Sequence, residues 1–547
     1  MKKTVKDAIA DILLQEKVDY VFGYTGGHIM HMFEAVNNVG INIIFNKQEW
    51  NAVYMADWYT RVSKKIGVIL ATAGPWATNM LTWLATAYLD SIPLIAIWAS
   101  VETYSIWRNP IQDGSWRWRS IDQKGAFKAV CKQSILPQCP EEIPNSIREA
   151  FRIALSWRPG PVYIEIPSDY WNLEIDYEVI SSSKYKNLNF PRCNLNDCEK
   201  ILNALYEAEK PFIVIWEWAE EEFIKPKLKD FLDNIKIPFW VSPIAKNFVD
   251  EFNSYYLWVM RSSGKTQKIY EYMRESDFIL FLGDRMQEWE TNWHDESLIK
   301  NKKLAQIDID YDEIGRVCPV DYSAVWSISS FVDFVKKTKH KNFDKLLKYV
   351  SNLKDKFPRK DIYLDSNKWL NPMNMINIVE KLASKDSSIV CDTWNTKSLT
   401  ILKFRTNLNQ NFLTADNNGP MGYSVPASLG VALATKKEVV CFVWDWGFQM
   451  SLNELGLCLN YDLKVIYIIH NNNGCDSIKR YHTSIYWHHC VAGFVNPDYL
   501  KIAKAYNMEW YTVKTSDEFE SAFKKAKESK VSVIIEAIVD DSLIVWE

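Results

Sequence analysis

Glycine is scarce in this chain, at 19 of 547 residues, where ordinary usage of about 7% would give roughly 38. Read literally, that leaves few positions for the left-handed turns and close backbone approaches that glycine alone supplies cheaply. A strong net charge is missing too. Lys and Arg number 64 against 68 Asp and Glu, a balance of −4, which argues against a polyanion-binding surface and predicts no nucleic-acid partner. No run of 18 apolar residues occurs, so no membrane span is predicted. The ten cysteines form no CxxC pair and no tight Cys/His cluster. They read as reduced thiols of a cytoplasmic protein, packed as small hydrophobes. "YWHHC" (486–490) has no partner cluster nearby in sequence to complete a metal site. There is no short-period repeat, coiled coil or low-complexity tract. The basic start is followed by Asp7, Asp11 and Glu16 at helical spacing, which predicts an amphipathic helix and then a strand rather than a signal peptide.

What is present in excess is tryptophan, 24 residues, a surplus similar in size to the glycine deficit. Otherwise the composition, 48% apolar and 24% charged, is that of a soluble globular protein, long enough for about three domains of roughly 150 residues.

Three blocks alternate strand and helix. The first, 1–180, holds "INIIF", "IGVILATA" and "IPLIAIWAS". These runs lack period-2 polarity, so they predict strands covered on both faces, as in a parallel sheet. The polar stretch 181–197 reads as a boundary. A central block, 190–345, contains "PFIVIW", "FILFLGD" and "KLAQIDID"; a third, 360–547, contains "SSIVCD", "EVVCFVWD", "KVIYIIHNNN" and "VSVIIEAIV". The pattern predicts three doubly wound α/β domains with parallel sheets. Ligands of such sheets sit at the carboxyl ends of strands, where "FVWD" and "YIIHNNN" both end.

Asp445 closes one apolar run and Asn472 follows 27 positions later. An acid and an amide at adjacent strand ends suit a hard cation with oxygen ligands, such as magnesium. They equally suit a pair of helix N-caps. Glu49, between two strand-like segments, is by itself a loop carboxylate as readily as a catalytic one.

The segment "WDWGFQMSLNELGLCLNYDLKVIYIIHNNNG" resembles the diphosphate-binding segment of thiamine-diphosphate enzymes, the acetolactate synthase family above all. "NNGPMGYSVPASLGVALA", "VFGYTGGHIMHMFEAV" and the stretch from "KQEWNAVYMADWYTR" to "IPLIAIWAS" are similar to that family as well. The resemblance implies a pyrimidine-binding domain, a central domain and a diphosphate-binding domain. It implies thiamine diphosphate held by magnesium, with Asp445, Asn472 and the Gly474 carbonyl as metal ligands. It implies Glu49 as the catalytic acid that bonds the aminopyrimidine ring. Gly26, Gly27, Trp394, Asn395, Met421, Trp444, Trp446, Gly447 and Asn472 fall on cofactor-lining positions, with Met421 as the apolar wedge under the bent cofactor. The implied activity is decarboxylation of a 2-oxo acid with carboligation, as in branched-chain amino-acid biosynthesis. Another decarboxylase or C–C lyase on the same scaffold, or a binding or regulatory subunit without catalysis, are the alternatives. The implied assembly is a homodimer or homotetramer with the site at the subunit interface.

For substrate binding the resemblance points to Gln112 and Lys132, but Asp113 departs from the family's glutamate and extra residues precede Lys132. Arg117 and Arg119 in that insertion either read a substrate anion or belong to a solvated loop. "FLGDRMQEWETN" resembles the family's FAD-contacting segment only at its strand and Arg285, so FAD is not assigned.

Against the same family pattern, Trp58, Trp76, Trp83, Trp98, Trp107, Trp157, Trp216, Trp218, Trp258, Trp326, Trp394, Trp444 and Trp446 all stand where glycine is expected. Trp171, Trp240 and Trp546 do not. A dozen indoles at turns and close contacts, each overpacked group costing about 1–3 kcal/mol, would exceed a domain's stability of roughly 5–15 kcal/mol. The expectation is a gene in which UGA encodes glycine, translated here as tryptophan. The literal alternative is an inactive homologue.

Overall fold

The computed structural model describes residues 1–117, 120–186, 194–216, 224–259, 267–288, 291, 294–338, 341, 343–359, 362–366, 369–393, 395–490 and 493–544. Three six-stranded sheets, parallel throughout, carry the architecture. They fall into two compact units: 1–189 with 417–436 and 447–465, and 190–416 with 437–446 and 466–547.

In the first unit the strand order is Asn42–Phe45, Tyr20–Gly23, Gly67–Ala71, Leu94–Ser100, Val162–Pro167, Gln133–Ile135. Every residue of Gly67–Ala71, Leu94–Ser100 and Val162–Pro167 is buried, which is why these segments show no polar alternation. The amphipathic N-terminal helix, Val5–Gln15, is capped by the Thr4 hydroxyl, which accepts the Asp7 N–H, and it buries Val5, Ala8, Ile9, Ile12 and Leu13. Helix Glu49–Ser63 is buried over most of its length. It is held between Gly67, whose added Cβ would meet the Ala56 carbonyl oxygen at 2.7 Å, and Gly430 of helix Ser424–Thr435, whose Cβ would meet the Met55 carbonyl oxygen at 2.2 Å. Backbone approach this close is what glycine permits.

In the second unit the central sheet has the order Tyr256–Val259, Phe239–Val241, Pro211–Ile215, Phe278–Leu282, Lys303–Asp308, Tyr322–Val325. This is the 3-2-1-4-5-6 doubly wound arrangement. The other sheet runs Asn411–Leu413, Ser388–Cys391, Val439–Trp444, Ile466–Asn471, Val533–Ile538, Glu509–Val513. Numbered within each sheet, this order and that of the first unit are both 2-1-3-4-6-5. Each therefore reverses direction between its first and third strands, where open α/β sheets form their ligand crevices.

Asp284 and Asp308 end neighbouring strands of the central sheet, both buried. Burial pushes each carboxyl up to about 7; the Met286 N–H and Arg285 partly offset this for Asp284, the Asp310 N–H and Arg285 for Asp308. A carboxyl with a folded pKa above its unfolded value favours the fold most below the unfolded pKa, and that contribution is lost as pH rises toward the folded pKa. Asp284→Asn keeps an oxygen for the Met286 N–H, 2.6 Å away. It is expected to flatten the decline in stability between pH 4 and 7 and to stabilise the protein by about 2 kcal/mol at pH 8, at ~1.4 kcal/mol per pKa unit less relaxation. Urea denaturation across that pH range measures it.

Candidate active site

In the first unit the strand order reverses at Tyr20–Gly23 and Gly67–Ala71, which end side by side. Gly26 sits against the second of these ends, since a Cβ on it would lie 2.8 Å from Thr72 Cγ2, whereas Gly27 meets nothing within 4 Å. His28 Nδ1 lies 3.3 Å from the Thr72 hydroxyl. Glu49 is the first residue of helix Glu49–Ser63, is buried, and accepts a hydrogen bond from Asn79 Nδ2 at 3.1 Å. Asn79 follows the short helix Pro75–Thr78. Sequence reading passed over it, although "GPWATN" lies within the family-like stretch. The Gly74 turn before that helix (φ 72°) packs against Gln112, whose Cβ is 2.7 Å from where a Gly74 Cβ would stand. Lys132 stands elsewhere: its ammonium donates to the carbonyls of Ile153 and Ser156 at the end of helix Ile143–Leu155. Arg117 stacks on Trp107, 3.3 Å from the ring centre.

Also in this unit, Gly422, with left-handed backbone (φ 73°), follows Met421. Its Cβ would lie 2.7 Å from Met450 Cβ and 3.1 Å from the Gly447 carbonyl oxygen. Met421 is half-buried beside this turn.

Glu454 was not read from the sequence. Its carboxylate, fully buried, accepts from Lys47 N (2.8 Å), Gln48 N (3.1 Å), Asn51 Nδ2 (3.1 Å) and Asn46 Nδ2 (3.3 Å). Burial raises its pKa to about 6, held from going higher by these four donors.

In the second unit Asp445 follows strand Val439–Trp444 and is fully buried. One oxygen accepts the Trp446 N–H at 2.8 Å; the other accepts the Asn473 N–H at 3.1 Å and Asn496 Nδ2 at 2.9 Å. Asn496 Nδ2 also reaches the side-chain oxygens of Asn471 (2.8 Å) and Asn473 (3.1 Å). Burial raises the Asp445 pKa, and Asn496, the Trp446 and Asn473 N–H groups and His470 only partly offset it. The oxygens gathered here, one carboxylate and several amides, are the donor set that magnesium takes. Asn472 accepts the Gly474 N–H at 3.1 Å and donates to Asp541 Oδ2 at 2.7 Å. Asn395, first residue of helix Asn395–Lys403, donates to the same oxygen at 2.8 Å, and His470 Nε2 lies 2.6 Å from the other. Burial alone would raise Asp541; His470, Asn395 and Asn472 overcome it and hold the carboxyl near 2. Sequence reading missed both Asn496 and Asp541. Trp394, Trp218, Trp546 and Arg119 lie outside the described residues. Arg285 is buried with its Nε 3.8 Å from Glu313.

The tryptophans are poorly served by their surroundings. Trp58, Trp98, Trp216 and Trp444 are buried with indole N–H groups that have no partner among the described residues. Each such group costs ~1–3 kcal/mol. Trp157 (φ 51°), Trp116 (φ 64°) and Trp487 (φ 63°) adopt the left-handed conformation that glycine favours. Trp171, by contrast, donates to the His28 carbonyl at 2.7 Å. Trp240 and Trp510 also bury an N–H without a partner among the described residues, and Trp240 is a position with no family glycine.

Family models match in chain order: the thiamine pyrophosphate enzyme N-terminal TPP-binding domain at residues 3–121, the central domain at 198–335 and the C-terminal TPP-binding domain at 396–537. The acetolactate synthase large subunit of Haemophilus influenzae is 28% identical over 98% of this chain and 94% of its own length. The acetolactate synthase isozyme 3 large subunit of Escherichia coli is 27% identical over 97% and 94%. The acetolactate synthase large subunit of Cyanidium caldarium is 27% identical over 99% and 94%. No helix among the described residues is long and apolar enough to cross a membrane. With all three domains present in order on three doubly wound parallel sheets, the chain belongs to the thiamine pyrophosphate enzyme family.

Proposed function

We propose that this protein is a magnesium-dependent thiamine-diphosphate enzyme that decarboxylates a 2-oxo acid and joins the remaining fragment to a second carbonyl, as an acetolactate synthase does. The observation that carries this reading is the buried Asp445 carboxylate gathered among amides at a strand end. Full-length similarity to acetolactate synthase large subunits supports it. Asp445, Asn472 and the Gly474 carbonyl are assigned to magnesium, and Gly26, Gly27, Trp394, Asn395, Met421, Trp444, Trp446 and Gly447 to the cofactor. Thiamine diphosphate supplies an electron sink for loss of carbon dioxide. Glu49, held by Asn79, presents a buried carboxylate able to keep and return a proton at the aminopyrimidine. We assign a homodimer or homotetramer completing the site.

A second reading, another 2-oxo acid decarboxylase or C–C lyase on this scaffold, is favoured by one contact: the Lys132 ammonium caps a helix end. Acetolactate formed from pyruvate by the chain made with UGA read as glycine supports the first reading. Carbon dioxide release without acetolactate supports the second.

The proposal includes the tryptophans. Those at family glycine positions are taken to be glycine in the protein as its own cells make it. Support comes from the indoles of Trp58, Trp98, Trp216 and Trp444, whose N–H groups find no partner among the described residues, and from the left-handed backbone at Trp157. If these tryptophans are genuine, the chain is an inactive homologue.

A further inference from the structure

We propose that Glu454 is a positioning residue for Glu49, acting through the backbone that leads into the Glu49 helix. The inference rests on the reading of Glu49 as the cofactor-facing acid. Gln48, the N-cap of helix Glu49–Ser63, has extended backbone (φ −145°, ψ 147°), and its own side chain caps nothing. Helix starts leave backbone N–H groups without intrahelical partners, and a side-chain oxygen normally supplies the cap. Glu454, from more than 400 positions away, accepts the N–H groups of the two residues just before the helix rather than those of its first turn. One Glu454 oxygen takes the N–H groups of Lys47 and Gln48 together with the Asn51 amide; the other takes the Asn46 amide. Asn51 lies two residues after Glu49, so the carboxylate grips the chain on both sides of it.

The grip is itself anchored. The Ser451 hydroxyl donates to the Gly422 carbonyl at 2.8 Å and lies 3.3 Å from Asn51 Oδ1. The turn carrying Glu454 is thereby tied to the Gly422 turn next to Met421. A negative charge before the first helical turn is also favoured by the helix dipole. Two N–H groups, two amides and one carboxylate fix the backbone direction at 47–48, and that direction sets where the Glu49 side chain leaves the helix toward Asn79. Glutamine at 454 weakens this grip: its one oxygen can still take Lys47, Gln48 and Asn51, but its NH2 would face the Asn46 amide nitrogen, and loss of the charge turns charge-assisted bonds into weaker neutral ones.

The experiment compares the parent chain, with UGA read as glycine, with its Glu454→Gln, Asn51→Ala and Glu49→Gln variants. Hydrogen–deuterium exchange of a peptide spanning 45–50 is measured in the cofactor-free protein. Exchange of the thiamine C2 proton is measured by NMR with cofactor and magnesium bound. Glu454→Gln is expected to speed amide exchange in the peptide at least tenfold and to slow C2 proton exchange at least tenfold, with cofactor Kd within about threefold of the parent. Asn51→Ala, which keeps the carboxylate and removes one donor, is expected to give smaller changes in the same directions, and it carries the test if Glu454→Gln does not fold. Parent-like C2 exchange in a folded Glu454→Gln protein overturns the proposal. So does slowed exchange accompanied by an equal loss of cofactor affinity, which marks a merely structural role. If Glu454→Gln does not fold, unchanged amide and C2 exchange in Asn51→Ala overturns it. If Glu49→Gln itself leaves C2 exchange unchanged, it is the reading of Glu49 that fails.

Discussion

Glycine at positions 444 and 446 is expected to turn a chain that does not bind thiamine diphosphate at millimolar concentration into one that binds it, with magnesium, at micromolar concentration. That is a change of at least ~1000-fold, about 4 kcal/mol. The argument is steric and local. The Trp446 N–H already touches the Asp445 carboxylate at 2.8 Å, and its indole stands 43% exposed beside Phe494, with ring centres 4.7 Å apart. A side chain of that size next to the carboxylate takes room that a diphosphate and its cation need. Backbone N–H groups at a helix start serve an anion only when nothing covers them. Trp444 is buried with its indole N–H unpartnered among the described residues, so its replacement removes a polar group that those residues do not satisfy. Titration calorimetry on the double substitution Trp444→Gly, Trp446→Gly, made together with the other glycine positions, measures the effect. In the native gene, codons 58, 76, 83, 98, 394, 444 and 446 are expected to be UGA, and peptide mass spectrometry of native protein is expected to find glycine at 444 and 446. UGG at those two codons, or equal cofactor affinity with and without the indoles, would sink the idea and leave the inactive-homologue reading.

Glu49→Gln in the same background is expected to lower kcat at least 100-fold, within the range of general acid–base catalysis. Cofactor affinity should stay within about threefold of the parent. Glutamine has the same shape and still offers Asn79 an oxygen, 3.1 Å away in the parent. It cannot hold and return a proton. Affinity is assigned to the diphosphate and magnesium contacts, none of which the substitution alters. Steady-state kinetics alongside calorimetry separates the two effects, and a variant with near-full turnover would remove Glu49 from the mechanism.

The local sequence determined the elements and the chemistry-bearing ends of strands. Leu94–Ser100 and Val439–Trp444 are legible as buried strands because both faces are covered and every side chain is apolar or small enough to bury. Asp445 is legible because a charge directly after such a strand interrupts the run. Asn472 is legible in the same way, as an amide after the next apolar run, whereas Glu49 is singled out by resemblance, because its neighbours in the chain match a known pattern. The surplus of tryptophan over glycine needed only composition and alignment. What only the tertiary structure decided is which distant groups meet. Asn46, Lys47, Gln48 and Asn51 converge on Glu454 across some 400 positions. Asn395, His470 and Asn472 converge on Asp541. Asn496, rather than Asn472, donates to Asp445. The matching 2-1-3-4-6-5 order of two sheets leaves no repeat in the sequence, because strand order is set by where each crossover lands, not by residue identity. A buried carboxylate is settled by donors that any part of the chain can supply, so its partners become visible only once the chain is folded.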